Sequence, residues 1–452
     1  MKRLEEFFFE PNCGHNKLKS EKEKKQGCSK PKPGGASGGC AFDGAQIALV
    51  PISDALHLVH GPIPCAGNSW DNRGTRSSFS TNYRIGLTTD MSEMDVVHGG
   101  EKKLYRAIKE VVERYKPSAV FVYQTCVPAM IGDDVVSVCK KASEDLGVPI
   151  IPVESPGFVG SKNLGNKLAG DALFRYVIGT QEPEYTTDYD VNLLGEYNIA
   201  GELWQVKPLF KELGIRILAC ISGDVTYRQV ACAHRARVNM VVCSKTMLNL
   251  ARKMEEKYGI PYFEGSFYGI KDTSDALRNF ARLLGSEELI ERTERLIERE
   301  EKRIKEKLQP YIEKLRGKRV LINTGGVKSW SMVSQVQELG MVVVGTSGKK
   351  STSGDKERMI ELLGDEGKIV DDPNPKELVR MFKEYDVDLL MAGGRSKFVA
   401  LKEGIPFLDT NQERIKPYAG YDGMLILAQE LVRTLYSPVF KLYRRKAPWQ
   451  SL

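Results

Sequence analysis

The chain has 452 residues, room for about three domains at roughly 150 residues each. Hydrophobic residues make up 41%, enough for several cores and against global disorder. No run of 18 apolar residues occurs, which argues against a transmembrane helix.

The net charge is +7, and much of it is local: Lys17 to Lys32 holds seven Lys against two Glu. Residues 1–39, which end in the Gly-rich GGASGG, read as a basic arm: either a flexible attractor for anionic partners or a solvated leader. The opening MKRLEEFFFEPNCGHNK has charges inside its only apolar patch and is not a secretory signal. Nine cysteines, an odd number spread widely, argue against a disulfide framework and for a reducing cytoplasm with thiols left for metals or catalysis.

Beyond residue 45, short β-branched runs alternate with amphipathic helices. The spacing of Leu104, Ile108, Val111, Val112 and Tyr115 predicts a helix over 102–115, followed by a buried strand over 118–124. Further strands are expected at 215–221, 239–242, 320–323, 341–345 and 388–391. Strands separated by helices imply an α/β fold of parallel sheets flanked by helices, with ligands beyond the carboxyl ends of the strands. A charged helix over 286–315, with Leu289, Ile290, Leu296, Ile297, Ile304, Leu308 and Ile312 on one face and a kink at Pro310, closes the second unit. The expected domains are 40–200, 201–316 and 317–452.

The strand-end loops carry the chemistry. They hold Thr125-Cys126, Ser222-Gly223-Asp224, Cys243-Ser244-Lys245, Gly325-Gly326-Val327-Lys328 and Gly393-Gly394-Arg395. Glycines admit close backbone approach and cations neutralise negative charge, as an anion or metal-cluster site between domains requires. No loop meets the spacing of a phosphate-binding G-x-x-x-x-G-K-[ST], and no G-x-G-x-x-G follows a strand. Cys40, Cys65 and Cys126 are too far apart for a zinc finger; three thiolates from loops would suit an iron–sulfur cluster whose fourth ligand comes from another chain. On spacing alone, buried inert cysteines remain the alternative. Cys139, Cys220 and Cys232 read as packing residues, and His57, His60 and His98 as structural. A nucleic-acid role lacks any motif beyond the basic arm.

The segments PGGASGGCAFD (33–43), LVHGPIPCAGNSWDN (58–72), 239–258 and GIPYFEGSFYG (259–269) resemble the nitrogenase component 1 family, and within it the iron–molybdenum cofactor assembly scaffolds. The resemblance runs from about residue 35 to 436. It implies three Rossmann-like domains and an α2β2-like heterotetramer with a sister subunit. It implies that Cys40, Cys65 and Cys126 hold a [4Fe-4S] cluster shared with that partner, and that Cys243 holds the all-iron cofactor precursor while molybdenum and homocitrate are installed. The further partners it implies are a precursor-delivering protein, the nitrogenase iron protein and apo-nitrogenase as recipient, with no nucleic acid and no membrane.

Departures from the substrate-reducing subunit point the same way. Where that subunit has a histidine cofactor ligand, the GIPFLDTN segment ends in Asn411, a far poorer iron ligand. The Gln and His beside the reactive face align with Lys162 and Asn166, which removes a proton donor. The resemblance thus implies a scaffold with no catalytic residues of its own; a substrate-reducing subunit or a vanadium-type scaffold are the alternatives. Lys162, Lys328, Arg395 and Lys397 are candidate cations for the anionic cluster, with Gly325 and Gly326 as its close-approach glycines. Cys28, among Lys24, Lys25, Lys30 and Lys32 and with Cys13 and His15 upstream, is a candidate guide for the cluster.

Overall fold

Alternating β-branched runs and amphipathic helices give parallel strands, because each helix carries the chain back before the next strand begins. The computed structural model describes residues 39–70, 75–242, 244–324, 328–348, 351, 353–364, 367–370, 375–411 and 413–443. The strands β1 (Leu56–His60), β2 (Leu87–Thr88), β3 (Val120–Gln124) and β4 (Ile150–Glu154) form a parallel sheet in the order β2-β1-β3-β4. A second parallel sheet has β5 (Asp190–Leu194), β6 (Arg216–Ile221), β7 (Val238–Val241) and β8 (Tyr262–Glu264) in the order β6-β5-β7-β8. Both sheets belong to one compact unit, 39–203 with 210–264. β5 precedes the expected border at 200, yet it lies in the interior of the second sheet.

The helix Glu101–Tyr115 buries Leu104, Ile108, Val111 and Val112, as its spacing predicts, and Lys116 ends it in the left-handed region at φ 47°. β3 follows, buried at every residue. Phe121 and Tyr123 face one side of the sheet, with Phe42, Leu49 and Ile52, while Val120 and Val122 face the other, with Leu104 and Ile108. The helices α1 (Ala41–Leu49) and α4 (Lys162–Tyr176), the latter following the helices α2 (Ile63–Trp70) and α3 (Cys126–Ile131), touch backbone to backbone. A β-carbon at Gly44 would collide with the Lys162 carbonyl, and one at Gly165 with the Ala41 carbonyl.

The second unit, 204–209 with 265–443, holds β9 (Arg319–Asn323), β10 (Val342–Ser347), β11 (Lys368–Val370), β12 (Leu389–Ala392) and β13 (Phe407–Asp409). Their parallel order is β11-β10-β9-β12-β13. Here too lies α5 (Glu287–Leu315), capped by the Ser286 side chain and helical on both sides of Pro310. Leu289, Leu296, Ile297, Ile304 and Leu308 are buried as expected, but Ile290 is 39% exposed, one residue off the buried stripe. Glu300 is buried in the stripe instead, its charge met by Arg299 and Arg303. Among the described residues no helix is long and apolar enough to cross a membrane.

His57 sits fully buried on β1, stacked on Phe121, its Nδ1 2.8 Å from the Tyr123 hydroxyl. Burial pushes its pKa from 6.5 down to about 3. Below 6.5 the unfolded chain takes up a proton that the folded chain refuses until about pH 3. Stability is therefore lost as pH falls through that window, by at most about 1.4 kcal/mol per pH unit. His57→Gln is expected to flatten this acid limb of the urea midpoint; an unaltered limb would contradict the assignment.

Candidate metal centre

Three cysteines reach one place at helix starts, two of them delivered there by the strands β1 and β3. Cys40 is the N-cap of α1, Cys65 the third residue of α2, which follows β1, and Cys126 the first residue of α3, which follows β3. Amide groups at a helix start favour negative charge, and at Cys40 the Phe42 N–H acts in that sense against burial. Cys40 is fixed by a bridge to Ser161 and by the Lys162 N–H, which donates to the Gly39 carbonyl at 2.8 Å.

Gly157 marks the convergence: a β-carbon there would lie 3.1 Å from the sulfurs of both Cys40 and Cys126. Burial pushes the Cys40 thiol up, opposed by the Phe42 N–H and by Lys162; the nearby Cys126 adds to the rise. Burial likewise raises Cys65, with Cys126 and Cys40 adding and the Thr125 side chain opposing. Cys40 and Cys65 thus both sense neighbouring thiols, as members of a shared ligand set would. Among the described residues no three His, Cys, Asp or Glu groups close around a single metal ion. Three half-buried thiols, two of them beside Gly157, fit a larger metal–sulfur cluster instead. By contrast, Cys139, Cys220 and Cys232 are buried, and burial raises Cys139 and Cys232.

The rim of this site is apolar and open. Ile63, two residues before Cys65, is 54% exposed; Met130, four after Cys126, is 77%; Phe158, next to Gly157, is 60%. Lys162, expected beside the cofactor, opens α4 and pairs with Asp43 at 2.7 Å, close enough to Cys40 to pull its thiol down.

Behind the thiols lies a buried network that the sequence reading missed. The Asp133 carboxylate accepts the Gly100 N–H at 3.0 and 3.2 Å and lies 3.1 Å from His60 Nε2. Thr89 Oγ1 is 3.0 Å from His60 Nδ1 and accepts the Gly61 N–H at 3.1 Å. Burial pushes the His60 pKa down, against the pull of Asp133. The His60 carbonyl accepts both the N–H and the hydroxyl of Thr125, tying the Cys65 loop to the Cys126 loop. His60 and Asp133 are 73 positions apart, so no local pattern pairs them; the one available signal was that each stands beside a cysteine loop.

In the second unit, the ends of β12 and β13 meet. A β-carbon at Gly393 would stand 3.1 Å from Asn411 Nδ2, so this glycine makes room for the Asn411 amide. The Asn411 N–H donates to Asp409 at 2.8 Å, and Arg414 donates to the Asn411 carbonyl at 2.8 Å. Arg395 is exposed on the short turn Gly394–Ser396 after β12, and Lys397, also exposed, opens the helix Lys397–Lys402. Lys328 opens the helix Lys328–Glu338. Its side chain lies outside the described residues, as do Cys243, Gly325, Gly326, Cys28, Cys13 and His15. Asn166 is buried on α4, its amide donating to the Lys162 carbonyl at 3.1 Å.

Residues 40–436 match the family described as nitrogenase component 1 type oxidoreductase. The chain is 57% identical to the nitrogenase iron-molybdenum cofactor biosynthesis protein NifE of Bradyrhizobium diazoefficiens, over 99% of this chain and 83% of that one. It is 51% identical to the protein of the same name from Klebsiella pneumoniae, over 98% of each. Among solved structures, nitrogenase Cp1 at pH 5 superposes with a TM-score of 0.85 at 29% identity, covering 93% of this chain and 92% of that one.

Proposed function

Because the chain belongs to the nitrogenase component 1 type oxidoreductase family, we propose that it is a scaffold subunit on which the nitrogenase iron–molybdenum cofactor is built. The observation that carries this reading is the convergence of Cys40, Cys65 and Cys126 at an open apolar rim. Three thiolates are one short of a usual [4Fe-4S] set, and the exposed Ile63, Met130 and Phe158 would be covered by a partner that brings the fourth. That partner is a NifN-like subunit in an α2β2 heterotetramer. The shared cluster, when bound, supplies one-electron transfer. This chain's part is to hold three thiolates at helix starts and to keep side chains away at Gly157.

The precursor cluster is cargo. Cys243 is the thiolate to hold it, and Asn411 cannot hold its other end as an imidazole would, which favours release. Lys162, Lys328, Arg395 and Lys397 are cations to attract an anionic cluster or homocitrate, with Gly325 and Gly326 giving close approach and Cys28 guiding passage. Molybdenum and homocitrate are installed there before transfer to apo-nitrogenase, with the iron protein and a precursor-delivering protein as further cytoplasmic partners. Greater identity to the relatives named for cofactor biosynthesis than to the nitrogenase chain supports a scaffold over a substrate-reducing subunit. Anaerobic co-purification with the NifN-like partner is the test. An α2β2 assembly with an iron–sulfur EPR signal is expected; the same assembly without iron would refute the reading.

A further inference from the structure

Resting on the reading of Cys40, Cys65 and Cys126 as cluster ligands, we infer that Thr125 is a positioning residue whose hydroxyl turns from the His60 carbonyl to the Cys65 sulfur when that sulfur carries metal-bound charge, and so sets the reduction potential of the cluster.

Thr125 is 1% exposed, so no bulk water competes for its one hydroxyl hydrogen. That hydrogen is donated to the His60 carbonyl at 2.9 Å, while the Thr125 N–H donates to the same oxygen at 3.2 Å. The double bond is what makes the rotor inexpensive: when the hydroxyl turns away, the carbonyl keeps the N–H, and no buried group is left without a partner. The Cys65 thiol is within hydrogen-bonding reach of the same hydroxyl.

The surroundings hold the oxygen in place. A β-carbon at Gly61 would collide with Thr125 Oγ1, so the bare α-carbon of Gly61 forms its wall. The end of β1 that carries the accepting carbonyl is pinned in turn by Asp133 and Thr89 through the His60 ring. A donor aimed at a cluster thiolate stabilises the more negative, reduced state and raises the potential.

Potentiometric EPR titration of the anaerobic complex with its partner tests this, using T125V and T125S beside the parent. T125V is expected to shift to a more negative potential with iron content retained, and T125S to stay with the parent. An iron-loaded T125V at the parent potential would overturn the inference, as would T125S displaced as far as T125V. Should T125V lose its iron, T125A against T125S isolates the hydroxyl: a more negative potential in T125A supports it, and equal potentials overturn it. If the parent itself carries no iron signal, the scaffold reading fails and takes this inference with it. Failure at Thr125 alone leaves that reading standing.

Discussion

Cys126→Ala is expected to strip the shared cluster from the complex, lowering its iron by about four atoms per pair of subunits and abolishing the corresponding EPR signal. Cys126 opens α3 and faces Cys40 across Gly157, so its loss removes one of three ligands from this chain, and no other cysteine is placed to replace it among the described residues. The control is Cys139→Ala. Cys139 is fully buried in the core against β3, where burial holds its thiol protonated, so its loss is expected to leave iron unchanged. Equal iron loss in both variants would mean that general destabilisation, not ligation, is being read.

The second large effect falls behind the site. Asp133→Ala orphans the Gly100 N–H and His60 Nε2, both in surroundings that water does not reach. Each buried donor left unmet costs about 1–3 kcal/mol, so the variant is expected to lose about 2–5 kcal/mol in urea unfolding. Asp133→Asn keeps the shape and one acceptor and is expected to lose less. The loss also loosens the start of the helix Glu101–Tyr115, whose first turn is anchored through Gly100. A cost below about 1 kcal/mol for the alanine variant would show that the network is dispensable.

What could be read before the fold was seen depended on periodicity and on distance along the chain. β3 and the helix before it were legible because apolar positions repeat at the spacing of each element, and Cys126 at the strand end followed from that. β5 was not, since Asp190–Leu194 mixes Asp and Asn into a buried strand, where Arg216 meets Asp190 and Asn239 meets Asn192. The three thiols were legible as a set, but their convergence depends on Gly157, which carries no signal of its own. Lys162 reads from sequence as a candidate cation for the cluster; its pairing with Asp43, far along the chain where α1 and α4 touch, leaves no local pattern. Long-range pairs of single polar residues, such as His60 with Asp133, leave no pattern for periodicity to find.

The measurement closest to the central claim is transfer. The anaerobic complex with its NifN-like partner, supplied with the precursor cluster, molybdate, homocitrate and iron protein, is mixed with apo-nitrogenase and assayed for acetylene reduction. Activation of the apo-nitrogenase, with negligible reduction by the complex alone, is the predicted result. Acetylene or dinitrogen reduction by the complex alone at nitrogenase-like rates, with no activation of the recipient, would contradict it.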